Sequence, residues 1–206
     1  LRAHAIHCSS QGADDAAMCG HLAIVQELRS HGIHCTFEGA NEAAARGRLP
    51  MIQDLREHDI HCTSRGADVA ARFGHLSVVQ DLHEHNVHCT SEGANFAAWQ
   101  GNLDVLRFLY TQDINCTRDG ADRAAWHGHL LVIRELREHG VHCTYRGADC
   151  AAQRGHLDVI QDLCAHGIVC SPQGVNWAAQ GGYLAVVQDL CAQNIPFTSA
   201  DADAAA

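Results

Sequence analysis

The chain has 206 residues, 47% hydrophobic and only 18% charged, too apolar and too weakly charged for a disordered segment. Its formal net charge is −10 with histidine neutral, a balance that argues against non-specific binding to nucleic acid or to an anionic membrane surface. No apolar run approaches the ~20 residues of a membrane span, and no signal-peptide pattern is visible. Aromatic residues make up 5%, so the core has to be built from small side chains at close helix contacts. Protonating all 17 histidines would move the charge from −10 to +7, so charge responds steeply to pH in the histidine range.

Taken in chain order, the sequence is one unit written again and again. Leu1, Leu28, Leu55, Leu82, Leu109, Leu136, Leu163 and Leu190 are spaced by 27 throughout. The copies are 1–27, 28–54, 55–81, 82–108, 109–135, 136–162 and 163–189, with a partial eighth at 190–206, and no linker interrupts them. A single array over 1–206 is therefore expected. Positions below are counted from that leucine as 1.

Position 9 opens a first helix, helix A. It is Ser9, Thr36, Thr63, Thr90, Thr117, Thr144, Ser171 and Thr198, hydroxyls that can accept from an orphan N–H at a helix start. Gly at position 12 comes early in helix A, where it costs about 1 kcal/mol against Ala. Its recurrence implies a close approach of neighbouring backbones. Alanines at 13, 16 and 17, as in Ala67, Ala70 and Ala71, mark one helical face. Gly at position 20 ends the helix in the left-handed conformation. Helix B follows, with apolar residues at 22, 24, 25 and 28, as in Leu76, Val78, Val79 and Leu82. Neither helix can bury its stripe alone, whereas stacked copies bury it continuously. The expected class is all-α, an α-solenoid of helix-turn-helix repeats.

"GADCAAQRGHLDVIQDL" (147–163) and "GADVAARFGHLSVVQDL" (66–82) resemble ankyrin repeats, and the pattern A-A-x-x-G-H-L-x-V-V-x-x-L runs through the whole chain. Two departures stand out. The unit has 27 residues where the ankyrin unit has 33, and the T-P-L-H opening of helix A is replaced by x-G-A-(Asp/Asn). The residues lost would come from the β-hairpin finger. The resemblance implies a curved solenoid that binds protein partners, with helix A carrying contacts the finger would otherwise make. Position 14, histidine in the family, is Asp14, Asn41, Asp68, Asn95, Asp122, Asp149, Asn176 and Asp203. It reads either as a polar ladder tying neighbouring repeats together or as a functional acidic stripe.

Some positions differ from copy to copy. Positions 11, 15 and 18 share one helical face, opposite the alanines, and position 19 varies with them. This stripe carries Glu42, Arg72, Phe73, Phe96, Trp99, Arg123, Trp126, His127 and Trp177. All three tryptophans lie on it, and Trp and Arg are enriched at binding hot spots. These nine are the candidate partner-binding residues, on what is expected to be the concave side. The alternative is that the aromatics only cover gaps between repeats.

The loop after helix B reads H-x-x-H-C in many copies. Cysteine fills position 8 in seven: Cys8, Cys35, Cys62, Cys89, Cys116, Cys143 and Cys170. Histidine fills position 7 in five, including His7, and position 4 in six, including His4. Cys and His suit zinc, but a structural site takes four ligands in a tetrahedron and one copy offers three. Equivalent atoms of adjacent repeats lie roughly 10 Å apart, too far to share an ion or a disulfide easily. Gln112, Asn115 and Val169 interrupt the pattern. The expected reading is a buried thiol under the loop and a partly exposed imidazole at the negative end of helix B, with no metal and no cofactor. Unpaired periodic thiols fit a reducing, cytoplasmic compartment, a host cytosol included.

The sequence carries no phosphate-cradling glycine loop, no nucleophile elbow and no H-E-x-x-H. Repetition itself argues against catalysis, because a catalytic site is one place. The expected function is non-catalytic recognition of an unknown protein or peptide, with no nucleic acid or membrane, by a monomer or a part of a longer chain. Zinc binding by the His/Cys loops and an architectural spacer are the alternatives. The spacer gains from the ends, since Leu1 begins inside helix B and "TSADADAAA" stops inside helix A.

Overall fold

The computed structural model describes residues 8–193. Leu1, His4, His7, Thr198 and Asp203 lie outside them, as does most of the partial eighth copy. Among the described residues every regular element is a helix and none is a strand. In chain order these are α1 (Ser10–Cys19), α2 (Leu22–Ser30), α3 (Phe37–Ala45), α4 (Leu49–Glu57), α5 (Ser64–Arg72), α6 (Leu76–Glu84) and α7 (Ser91–Gln100). They continue as α8 (Leu103–Thr111), α9 (Arg118–Trp126), α10 (Leu130–Glu138), α11 (Tyr145–Arg154), α12 (Leu157–Ala165), α13 (Pro172–Gln180) and α14 (Leu184–Ala192). Odd-numbered helices are helix A and even-numbered ones helix B.

The chain forms two compact units, one ending at Gly93 and one beginning at Ala94. In the first, α1 packs on α3 and α3 on α5, while α4 packs on α6. In the second, α9, α11 and α13 stack in order, as do α8, α10, α12 and α14. Helices of nine or ten residues are too short to persist alone in water, so tertiary packing holds them. Ala40, Ala43, Ala44, Ala67, Ala70 and Ala71 are fully buried, as are Ala121, Ala124, Ala125, Ala148, Ala151 and Ala152. These small faces let successive A helices approach closely.

The closest approach is at position 12. A Cβ on Gly39 would fall 3.0 Å from the Asp14 Cα, and one on Gly66 3.2 Å from the Asn41 Cα. At Gly120, Gly147 and Gly174 the distances to the Cα of Asn95, Asp122 and Asp149 are 3.0, 3.2 and 3.1 Å. The recurrent glycine is therefore a packing requirement.

At the same contact, position 14 of one repeat receives position 9 of the next. The backbone N–H of Thr36, Thr63 and Thr90 donates to Oδ1 of Asp14, Asn41 and Asp68 at 2.7, 2.9 and 2.7 Å. In the second unit Thr117, Thr144 and Ser171 donate likewise to Asn95, Asp122 and Asp149 at 2.8, 2.7 and 2.7 Å. Where the acceptor is Asp14, Asp68 or Asp122, the threonine hydroxyl donates to the second carboxylate oxygen at 2.7–2.8 Å. A carboxylate only accepts, so it fixes the hydroxyl proton and leaves a lone pair for the helix. Thr36, Thr90 and Thr144 accordingly accept from the N–H of Glu38, Glu92 and Arg146 at 3.1 Å. Behind Asn41 and Asn95, Thr63 and Thr117 make no such cap. The ladder reading of position 14 is the one the structure shows.

Both helices stop on left-handed residues. Gly20, Gly47, Gly74, Gly101, Gly128, Gly155 and Gly182 end helix A at φ between 69° and 80°. Helix B ends at position 5, which is left-handed even where it is Asp59, Asn86 or Asp113 at φ 58–63°. The N–H of the apolar residue that follows reaches back to the helix, as from Ile114 to the Leu109 carbonyl at 3.0 Å.

Two substitutions test these assignments. Gly66→Ala improves helix propensity but is expected to destabilise the protein by about 1–3 kcal/mol, because the added methyl has no room. Asp113→Gly is expected to stabilise it by about 0.5–1 kcal/mol, relieving a left-handed non-glycine residue at some entropic cost. Urea midpoints read both; a more stable Gly66→Ala variant would overturn the packing argument.

Candidate functional site

The alanine face of helix A turns inward, so positions 11, 15 and 18 are left on the opposite side. Glu42, Arg123 and His127 are exposed there, and Phe73 is 52% exposed. Arg72, Phe96, Trp99, Trp126 and Trp177 are half-buried.

In the first unit this face is a groove of about 490 Å³ across α1, α3 and α5. Glu42 lines it together with Asp15, Met18, Phe37, Glu38, Arg65 and Val69. The Arg72 guanidinium lies over the Phe73 ring at 5.6 Å, and Phe73 stands 6.5 Å from the His75 ring.

In the second unit the stripe gathers round Trp99. Phe96 lies 6.2 Å from it, tilted, and the Arg123 guanidinium sits over it at 5.2 Å. Arg123 is itself held by Asp119 one helical turn away at 2.8 Å. The Trp99 indole N–H donates to His127 Nε2 at 2.5 Å. Trp126 instead lies under Arg154, at 4.7 Å, and Trp177 stands outside this cluster. So four of the nine candidates, Phe96, Trp99, Arg123 and His127, meet directly. A guanidinium on an aromatic face is attractive and holds the ring in one orientation.

An indole N–H can only donate, so the His127 nitrogen it meets has no proton. Burial, then the neighbouring Arg154 and His156, hold His127 below the ordinary histidine range. His129, stacked 5.9 Å from His127, is lowered by its own burial, then by His127.

The H-x-x-H-C loops have local duties. The thiols of Cys62, Cys89, Cys116, Cys143 and Cys170 are buried and pushed up to about 12 by desolvation, and that of Cys35 to about 11. Cys62 and Cys143 donate to the carbonyls of Ala40 and Ala121 in the preceding repeat at 3.2 and 3.3 Å. At position 4, His58, His85 and His166 place Nδ1 2.7–2.8 Å from the carbonyls of Asp54, Asp81 and Asp162, closing the end of helix B. Among the described residues no three His, Cys, Asp or Glu side chains converge where they could hold a metal ion.

Three features escaped the sequence reading. Position 21 carries His75 and His156, whose Nε2 atoms meet the Ala45 and Trp126 carbonyls of the preceding helix A at 3.1 and 3.0 Å. Position 27 carries carboxylates that join successive B helices. Arg29 grips Asp54 and Arg56 grips Asp81, at 2.9 and 2.6 Å. Arg137 and Arg134 share Asp162 at 2.6 and 2.8 Å, and Arg107 meets Glu135 at 2.8 Å. The acidic recurrence of Glu27, Asp54, Asp81, Glu135, Asp162 and Asp189 was the available signal. The third feature is Phe37, at position 10 and so outside the variable stripe, which lines the groove beside Asp15 and Glu38 at stripe positions 15 and 11.

Protonating His127 removes the acceptor of the Trp99 N–H. The folded state favours neutral His127, so this stabilisation is complete above the ordinary histidine value of about 6.5 and is lost as pH falls through the lowered folded value. In a Trp126→Phe, Trp177→Phe background the Trp99 indole resonance is expected to show one transition below the ordinary histidine range, absent in His127→Ala. A resonance unchanged down to about pH 4 would break the assignment.

Residues 67–110 match the family model of ankyrin repeats in many copies. The human ASB11 ankyrin repeat domain superposes on 90% of this chain and 99% of its own, with a TM-score of 0.71 and 17% identity. A pentatricopeptide repeat protein from maize, PPR10, covers 95% of this chain and 36% of its own, at a TM-score of 0.48 and 10% identity. No curated protein matches the sequence. Residues 67–110 are thus ankyrin repeats, and the fold of the chain is that of an ankyrin repeat domain.

Proposed function

We propose that the chain is a non-catalytic recognition module that holds a protein or peptide partner on the variable, concave face of helix A. Ankyrin repeats are in general protein-interaction modules, which gives the class. The reading is carried by one observation. Positions 11, 15 and 18 differ between copies while the contacts that hold the A helices together are the same in each, from Thr36 on Asp14 to Ser171 on Asp149. A scaffold need that repeats would keep its residues; these do not repeat.

Trp99, Trp126, Phe96 and Trp177 are the expected anchors with Arg72 and Arg123, and Glu42, Phe73 and His127 lie on the same stripe. Trp99 and Trp126 already lie under guanidinium groups, so little of their side-chain freedom is lost on binding. The buried thiols support a reducing, cytoplasmic compartment, in which they stay unpaired.

The double variant Trp99→Ala, Trp126→Ala separates recognition from packing. Half-buried rings truncated to Ala are expected to cost about 1–2 kcal/mol each, which the urea midpoint reads. Capture of the proteins that the wild-type chain retains, followed by cross-linking, is expected to fail while helical circular dichroism is kept. Retained capture, or unfolding in place of lost capture, would make the tryptophans structural.

A further inference from the structure

We infer that the groove of the first unit is a separate subsite, built for a basic segment of a partner protein in which an apolar side chain lies between arginines or lysines. The proposal rests on the reading of the helix A face as a recognition surface and gives its first half a chemistry.

The groove has a volume of about 490 Å³, room for several side chains. Its apolar surface comes from Met18, Phe37 and Val69. Phe37 is 55% exposed at the first position of α3, where the other copies of this unit have Ser10 and Ser64. An exposed phenyl ring beside a methionine and a valine is apolar surface that a partner can cover.

The rim is acidic. Asp15, Glu38 and Glu42 are exposed carboxylates on α1 and α3. Among the described residues Asp15 accepts only from Gln11, at 3.2 Å, and neither glutamate has an ion-pair partner. This contrasts with the helix B side of the same unit, where Asp54 and Asp81 are each neutralised by an arginine. Arg65 is the one cation lining the groove, and with Asp14 taken up by Thr36 the three exposed carboxylates face one guanidinium. Like charges gathered around apolar surface leave their attraction for a cationic partner unspent, and the complementary charge speeds and orients docking. The second unit presents the opposite chemistry on its stripe, with Arg123 and Arg154 over Trp99 and Trp126. The two units thus select different stretches of a partner.

The test uses the whole chain and two fluorescein-labelled peptides, one alternating Arg with Leu and one alternating Glu with Leu, read by anisotropy at increasing salt. The Arg–Leu peptide is expected to bind and the Glu–Leu peptide not. Asp15→Lys with Glu42→Lys is expected to weaken the Arg–Leu peptide about tenfold or more, and Phe37→Ala to weaken it at every salt concentration. Glu57→Lys with Glu84→Lys changes the net charge equally on the exposed ends of α4 and α6, and is expected to weaken it by less than about threefold. Equal loss in both charge-reversed pairs would overturn the subsite, leaving only long-range attraction. Preference for the Glu–Leu peptide, or binding of neither, would overturn it too. The Trp99→Ala, Trp126→Ala variant is expected to keep the Arg–Leu peptide, so failure of this subsite and failure of the tryptophan stripe are read separately.

Discussion

The contact on which the rest depends is the one between successive A helices, where position 9 of one repeat gives its N–H to position 14 of the repeat before. It satisfies a donor at a helix start and fixes the spacing of the two helices at once. That spacing leaves no room for a Cβ at position 12, so Gly39, Gly66, Gly147 and their equivalents follow from it. It also keeps 13, 16 and 17 small and largely buried, alanine in every complete copy except for Val175 at position 13 of the seventh. With those positions committed, 10, 11, 15, 18 and 19 are left to vary along helix A. The face available for recognition is therefore what remains after one hydrogen-bonded contact has been met in each copy.

The two ladders answer acid in opposite directions. Asp68 and Asp149, in the A-helix contact, sit above the ordinary aspartate range because burial outweighs their hydrogen bonds from Thr90 and Ser171. The native state then binds more protons than the unfolded one, so their ionisation subtracts from stability as pH rises out of the ordinary aspartate range. Asn41 and Asn95 make the same backbone contact without that cost. On the B side burial also pushes Asp54, Asp81 and Asp162 up, but the bonds from Arg29, Arg56 and Arg137 and their partners outweigh it and hold them low. Their stabilisation is complete above the ordinary aspartate range and is lost as pH falls through the lowered values. Acid thus loosens the B-helix column while it relieves part of the A-helix column.

Much of this was legible because the chain repeats. A period of 27 with alanine pairs, a fixed hydroxyl and a fixed glycine specifies the helix pair and both of its ends. The glycine at position 12 could be read as close approach, though only coordinates name its neighbour as position 14 of the copy before, as for Gly39 on Asp14. What stayed hidden lies between copies. Trp99 and Arg123 are 24 residues apart and Trp126 and Arg154 are 28, offsets that mean contact only once the register of adjacent helices is known. The ion column was hidden for a related reason: Arg29 and Asp54 share the copy 28–54 but stand on successive B helices, α2 and α4, whose pairing the sequence does not show. His75 at position 21 passed as part of the G-H-L pattern, and its bond to the Ala45 carbonyl needs the preceding helix in place.

The interruptions of the repeat carry as much information as the repeat. Position 27 is acidic in every complete copy except the fourth, where it is Phe108, and position 2 is His83 and Tyr110 in the fourth and fifth copies in place of the arginine of the second, third and sixth. Phenylalanine has no carboxylate to offer an arginine, so the B-helix ion column cannot run through this copy. The boundary between the two compact units falls in that same copy, after Gly93. The A-helix contact does not change there: Asp68 and Asn95 receive Thr90 and Thr117 as their equivalents do elsewhere. A scaffold whose A side repeats the same contact within each unit can change the chemistry of its B side at one copy. It can therefore carry an acidic, apolar groove in one unit and an arginine-covered aromatic stripe in the other without altering the contact that builds both.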